Sequence, residues 1–510
     1  MKDNRGERSV PGASPKFSRR RILQSATGFL ATSALTAERL ASPPPPRKQD
    51  SPKPPANVAT DLTGQLARYM VEARERALPA NVALEGKHHI LDTLGAMVSG
   101  SRLTAGEMAT AFVRAQGGSP EASVIGSNLK TTAINAALAN GMCGHGDETD
   151  DVELVTKTHP GISAVAAALA MAEREGRSGT ELLRAVVLGY DVCCRFLLAL
   201  GGQEIVRGTH RSAEGVGATF AALGAAASLA RLDETGMRYA LSYAAQQVSG
   251  LWSWTSDSDH VEKAFDFAGM GARNGVTAAV MVQAGFTGVR NVFDCEHNVL
   301  EALSTAPRPA ELLADLGSRY WIAETSIKTF SVGYPIQAAV DAFLTLRREN
   351  SLRPDNVDHI VVRLPADGAG IVDNSAMPDV NCQYVIALAL VDGGVSFVDS
   401  HSRERMSDPK IRAVKERVQL IADQKLVDAA APRSGLVEVT LKDGRTVTHF
   451  TKFPPGTKEN SLSTEGLNVK VRDLMAPVLG ADRASALIQR FNALENVRDV
   501  RDLRPLYTVS

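Results

Sequence analysis

The sequence predicts a mainly helical fold, and three observations predict it. Ala and Gly are abundant while aromatic residues make up only 5% of the 510 residues, a composition that favours closely packed helices over a β-sandwich. Apolar residues recur at helical spacing through roughly the first 320 residues. Strand-like composition is confined to two short stretches near 359–364 and 436–450. At this length two or three domains are expected, and 44% hydrophobic residues can fill a large core. A net charge of −1 gives no basic excess of the kind that binds nucleic acid and no acidic solvating tail. The five cysteines, Cys143, Cys193, Cys194, Cys295 and Cys382, include no C-x-x-C. They read as neither a disulfide framework nor a zinc site, with the adjacent Cys193 and Cys194 filling core space inside a helix.

The elements follow in order. Ser18-Arg19-Arg20-Arg21-Ile22-Leu23-Gln24 resembles a twin-arginine export signal, followed by a moderately apolar run to Ala37 that is too short and polar to span a bilayer. The Pro-rich run from Pro43 to Pro55 is a stiff spacer. Folding is expected to begin near Val58. Residues 62–99 carry Leu66, Tyr69, Met70, Ile90, Leu91 and Leu94 at helical spacing, and 131–142 is a small-residue helix. Ser178-Gly179-Thr180-Glu181 has the form of a capping box and opens another helix. Segments 215–232 and 274–284 are further Ala- and Gly-rich helices. After about Trp321 the character changes. Residues 359–364 have strand composition, and Asp443-Gly444 joins two alternating stretches as a β-hairpin. Helical stretches at 337–348 and 384–390 lie between them, which makes a smaller α+β domain. Helical patterning resumes from Ser463 and the tail is expected to return to the first domain. The organisation is thus an export signal and linker over 1–57, a helical domain over 58–325 joined by 463–510, and an α+β domain over 326–462.

The chemistry concentrates in Gly144 to Gly161, which packs two imidazoles, five carboxylates and a lysine ahead of the uncharged run 162–171. Pro160 marks a first helical turn. His159 then sits at a helix N-terminus, whose partial positive charge favours neutral imidazole, while Asp150 and Asp151 favour the cation. An imidazole balanced between them is suited to carry a proton near neutral pH.

Together these segments resemble the MmgE/PrpD family, which includes 2-methylcitrate dehydratases, cis-aconitate decarboxylases and iminodisuccinate epimerases. The residues that carry the resemblance span most of the chain after the linker. They are His145 to Asp151 (H-x-x-[DE]-x-D-D), His159-Pro160, the helix from Ser178 to Arg195, the stretch Gly269 to Gly288 containing Ala272-Arg273-Asn274-Gly275, and Gln383-Tyr384 ahead of Asp392-Gly393. The resemblance implies a large all-helical domain with a smaller α+β lid, an active site in the cleft between them, and a homodimer. It implies a cofactor-independent lyase or isomerase that takes a proton next to a carboxylate of a small di- or tricarboxylate. Residue by residue, it implies His159 as base, Lys263 and Lys328 as carboxylate-binding cations, and Tyr384 as a donor to the leaving oxygen. It implies His210 as a second acid or a carboxylate clamp, with Glu148, Asp150 and Asp151 orienting His159 or a lysine. The chain departs from the family pattern after Lys328, where Thr329 to Gly333 replace a proline and a histidine usual in dehydratases, and at Val152, where threonine is common. With the export segment, the expected location is periplasmic, reached folded through the twin-arginine machinery. Two other readings stay open on the residues alone. His145, Asp147, Asp150, Asp151 and His159 form a donor set for a metal-dependent hydrolase, and an exported two-domain chain suits a carboxylate-binding protein without catalysis.

Overall fold

The computed structural model describes residues 61–509, so the stretch expected to be an export signal and the Pro-rich run lie outside the described residues. The described part is mostly helical, with a small sheet. Among the described residues no helix is long and apolar enough to cross a membrane.

The stretch that reads as one helical pattern over 62–99 is two helices, Leu62–Ala73 and Ala80–Gly100, because Pro79 caps the second; a proline is tolerated at a helix start but not inside one. Ala133–Gly144 begins at Thr132, whose hydroxyl accepts the Asn135 N–H, and Pro160–Glu175 begins with its proline in the first turn. Both halves of the capping box form at Ser178 and Glu181, opening Gly179–Ala199. Every residue of Ala213–Leu229 is buried, as its lack of polar faces requires. It is crossed by Met270–Gln283. The crossing is tight: a Cβ on Gly271 would stand 2.3 Å from Ala218 Cβ, and one on Gly275 would stand 2.4 Å from the Leu223 nitrogen. Small residues in the Ala272–Gly275 motif are therefore set by backbone-to-backbone packing. Gly275→Ala is expected to destabilise the protein by about 1–3 kcal/mol through overpacking, read as a lowered Tm; an unchanged Tm would mean the helices do not approach this closely.

Two large apolar cores organise the described residues. The first gathers the helices named above and also takes in Leu467, Val471, Met475, Leu487 and Phe491 from the C-terminal helices Thr464–Leu479 and Ala481–Asn492. The second is built on a four-stranded sheet in the order Val418–Asp423, Val357–Pro365, Gly435–Leu441, Thr446–Thr451. The first pair is parallel and the others antiparallel. In Gly435–Leu441 buried and half-buried residues alternate, placing Val437 and Val439 opposite Val362 and Ile360; the period of two puts one strand face inside. Helices Gln337–Asn350 and Cys382–Asp392 contribute Phe343, Leu346, Ile386 and Leu388 to this core. The strand Val418–Asp423 is not among the elements the sequence predicts. It pairs in parallel with a strand more than fifty residues earlier, so no local turn announces it.

Candidate active site

The charged segment after Ala133–Gly144 is folded inward. Asp147, Glu148, Asp150, Asp151 and Glu153 are all buried, which is affordable only where each finds partners. Asp147 accepts from the Ser99 hydroxyl and from the Thr149 N–H at 3.1 Å; burial pushes its carboxyl up to about 7. Glu153 turns back on its own loop, accepting from the N–H groups of Val155 and Thr156 at 2.8 and 2.7 Å. Asp151 accepts from the Tyr190 hydroxyl, pairs with His89 Nδ1 at 2.7 Å, and takes the Gly161 N–H at 3.2 Å. It therefore anchors the start of the Pro160–Glu175 helix, where a carboxylate is favoured by the helix dipole. From the C-terminal helix, Lys470 reaches in to donate to Asp92 at 2.6 Å and to the Thr149 carbonyl at 2.9 Å.

Asp150 is the hub. Its Oδ1 lies 3.1 Å from His145 Nδ1 and 3.4 Å from Lys328 Nζ. Its Oδ2 lies 2.8 Å from His159 Nδ1, an ion-pair approach whose geometry falls short of a hydrogen bond. Burial opposes the charge on Asp150, but His145, Lys328 and His159 override it and hold the carboxyl well below the usual range. An ionised Asp150 assigns the imidazole proton of His159 to Nδ1, leaving Nε2 as the basic nitrogen. His159 caps the Pro160–Glu175 helix without a side-chain capping bond, and it lines a cavity of 430 Å3, within the range of small-molecule sites, roughly 300–1,000 Å3.

Two ammonium groups flank the acids. Lys328 is fully buried and donates to the Glu148 carbonyl at 2.8 Å, with the Glu148 carboxylate at 3.4 Å. Burial would lower its pKa; Asp150 and Glu148 more than reverse that and raise it. Its position is set by a bridge between Val152 and Ser326 and by the Ile327 N–H, which donates to the Gly456 carbonyl at 2.9 Å. Gly456 (φ +94) lies so close that a Cβ there would stand 1.9 Å from the Ile327 carbonyl, which accounts for the glycine after Pro454-Pro455. Lys263 pairs with the Glu148 carboxylate and stands 5.2 and 5.1 Å from the ring centres of Trp254 and Phe267, within cation–π range. Burial would raise the Glu148 carboxyl, but Lys263 and Lys328 hold it well below the ordinary range. Glu148, Lys157 and His260 all have left-handed backbone (φ 53, 56 and 60), at about 1–2 kcal/mol per residue without glycine. Such clusters of unfavourable backbone gather at functional sites.

Of the eight site residues expected from the sequence, five come together: Glu148, Asp150, His159, Lys263 and Lys328. Glu148, His159 and Lys263 line the cavity, and Asp150 and Lys328 stand behind them. Asp151 sits deeper, on His89 and Tyr190. His210 does not join them: it is exposed, at left-handed φ 58 after the short Glu204–Thr209 helix, and its carbonyl accepts the Trp252 N–H at 3.0 Å. Tyr384 does not reach the cavity either. Its hydroxyl is spent inside the second core, donating to the Asp399 carbonyl at 2.6 Å. Unexpected members are His260, Glu214, Trp254 and Phe267. His260 Nε2 lies 3.5 Å from the Glu148 carboxylate, and burial followed by Lys263 pushes its pKa down to about 3. It stands three residues before Lys263, so the one signal for it in the sequence is proximity to a residue already singled out. His145 stacks on Phe267 with ring centres 4.3 Å apart.

Two donor sets in this network, His145–Asp150–His159 and His145–Glu148–His260, have ligand atoms within 4.8 Å of one another. Their carboxylates already face ammonium groups, so a divalent cation would have to displace Lys263 or Lys328 from Glu148 and Asp150.

Comparison with known proteins gives a consistent picture. Residues 64–312 match the MmgE/PrpD N-terminal domain and residues 330–496 the MmgE/PrpD C-terminal domain. The chain is 26% identical to human cis-aconitate decarboxylase over 448 residues, covering 84% of this chain and 91% of the relative. It is 23% identical to the cis-aconitate decarboxylase-like protein oryM of Aspergillus oryzae over 88% of this chain and 97% of that protein. It is 22% identical to cis-aconitate decarboxylase of Aspergillus terreus over 88% and 96%.

Proposed function

The chain belongs to the MmgE/PrpD family, and on that premise we propose that it is a lyase acting on a small di- or tricarboxylate without a cofactor. The observation that carries this reading is His159, held by the buried Asp150 at 2.8 Å at the wall of a cavity it shares with Lys263. A base must reach a carbon-bound proton while a cation meets the negative charge that develops. Nε2 of His159 supplies the first, and Lys263, backed by aromatic rings, supplies the second. Glu148 divides its charge between Lys263 and Lys328, so an entering substrate carboxylate can share Lys263 without leaving Glu148 unpaired. The bond broken is C–O in a hydroxy acid or C–C to a carboxylate; relatives named as cis-aconitate decarboxylases favour the second. The cavity wall also includes Tyr334, Ile371 and Arg433 from the sheet-containing part, which supports reading that part as a lid over the helical domain. We extend the proposal to a homodimer exported folded to the periplasm, on the strength of the family resemblance and the Ser18–Gln24 segment.

The test is incubation of the purified protein with cis-aconitate, citrate, 2-methylcitrate and iminodisuccinate, followed by NMR. Loss of carbon dioxide or water from one tricarboxylate, undiminished by EDTA, is the expected result. Inertness toward all four, or hydrolysis of an ester or amide that EDTA abolishes, would overturn it.

A further inference from the structure

Glu214 lines the same cavity as His159 and Lys263. It stands in the first turn of the Ala213–Leu229 helix, two residues after the capping residue Ser212. The Ser212 hydroxyl oxygen accepts the Gly215 N–H at 3.2 Å. The same oxygen lies 3.0 Å from Glu214 Oε2 and closer still to Asp266 Oδ2. Asp266 belongs to the π-helical turn Phe265–Gly269, a form that recurs at functional sites. Its other carboxyl oxygen accepts the Leu251 N–H at 3.2 Å and is hemmed in by Gly215 and Gly250, at each of which a Cβ would come within 2.9 and 3.1 Å of it. Among the described residues neither carboxyl takes part in an ion pair.

Counting hydrogens decides the state of this trio. A serine hydroxyl has one hydrogen to give, and here it faces two carboxyl groups. It can donate to one. The other contact closes only if that carboxyl carries a proton and donates to the serine oxygen, which has a lone pair left after accepting the Gly215 N–H. Two buried carboxyl groups bridged in this way share a proton for the reason that like charges at this range do not both ionise. The charged groups facing them place that proton mainly on the Asp266 side: His159 and Lys263 favour charge on Glu214, while Glu214 and Glu262 oppose it on Asp266. Burial dominates both, raising Glu214 and pushing Asp266 up to about 7.

We propose that Glu214, Ser212 and Asp266 hold one proton in common and that Glu214 delivers it to the reacting substrate. The inference rests on the lyase reading of this cavity. In a decarboxylation the C–C bond to the carboxylate breaks, carbon dioxide leaves, and the electron pair left on carbon takes the proton from Glu214. In a dehydration the C–O bond breaks with its pair going to oxygen, which takes that proton and leaves as water, while His159 holds the proton removed from carbon. In either case Asp266 passes its proton to the Ser212 oxygen as the serine hydrogen moves to Glu214, and solvent then restores the store. Glu214 is the catalytic acid; Ser212 and Asp266 are positioning residues.

Two measurements test this. Infrared difference spectra at pH 7 between wild type and Glu214→Gln, and between wild type and Asp266→Asn, report a protonated carboxyl without any substrate. Each amide supplies the hydrogen that the trio lacks, so both variants are expected to fold with wild-type melting and to lose the carboxylic C=O band; no such band in wild type would overturn the shared proton. On the substrate found above, Glu214→Gln is expected to lower kcat by about 10²-fold or more with KM little changed. Asp266→Asn is expected to lower kcat less and to move the alkaline limb of its pH profile, which a merely structural role would not do. Wild-type kcat in Glu214→Gln would overturn the delivery step. A wild type that turns over none of the acids would remove the lyase reading and the delivery step together, with the infrared band still deciding the shared proton.

Discussion

Replacing His159 by Gln is expected to lower kcat by roughly 10²–10⁴-fold, the range for loss of a positioned acid–base group. The substitution should leave the fold intact. His159 makes no side-chain capping bond at the start of its helix, so no cap is lost; what goes is the packing of its ring against His145 and Phe267, each 5.2 Å away between ring centres. A Gln side chain can still face Asp150 with an N–H, but it has no basic nitrogen for the cavity. The loss should therefore fall mainly on kcat, with Tm lowered only modestly and KM shifted little. Full activity in this variant would remove the base from the mechanism. A collapse in Tm would mean that the Asp150 contact holds the loop together, and that the activity loss reports folding.

The second large effect is expected at Lys328. Its ammonium is fully buried between Glu148 and Asp150. Lys328→Met keeps the chain length and removes the charge, leaving two buried carboxylates with fewer cationic partners. Breaking a buried pair from one side costs about 3–5 kcal/mol, so a fall in Tm of several degrees and loss of turnover are expected. The pH dependence has a definite sign. In wild type the Glu148 and Asp150 carboxyls sit below their ordinary values of 4.5 and 3.8. Their stabilisation is complete above those values and lost as pH falls through the lower folded values. Without Lys328 the carboxyls rise, and protonation relieves the buried charge. The Tm gap between variant and wild type should therefore narrow from pH 8 to pH 5. A gap that widens on acidification would show that Lys328 is not what holds these acids ionised.

What is legible in the sequence, and what is not, divides along the range of the interactions. The Ser178–Glu181 capping box, the proline opening the 160–175 helix and the Asp443-Gly444 turn are local, and all appear where the residues place them. The strand Val418–Asp423 has no partner within fifty residues, and nothing in its own six residues distinguishes it from the end of the preceding helix. The site shows the same division. The acids and imidazoles of the 144–161 segment are visible because they are nearly consecutive. Lys263 and Lys328 are reached through family resemblance, and no spacing rule joins them to Glu148. Tyr384 and His210 are expected at the cavity on that resemblance too, and each stands at a helix boundary beside an apolar run. A boundary residue can turn either way, and the Tyr384 hydroxyl turns to the Asp399 carbonyl while the His210 ring stays exposed. Glu214 opens the helix that follows His210, and Asp266 stands 54 residues from Ser212, so only the fold brings the two carboxyls onto one serine.

The central claim is that a small polycarboxylate is bound and transformed in the cavity that His159 and Lys263 share. A crystal structure of the His159→Gln variant soaked with cis-aconitate tests it most directly. The account predicts the acid in that cavity, one carboxylate on Lys263 Nζ and a carbon of its backbone within reach of the substituted side chain at position 159. The acid bound elsewhere, with this cavity empty at a concentration that saturates wild-type turnover, would contradict it.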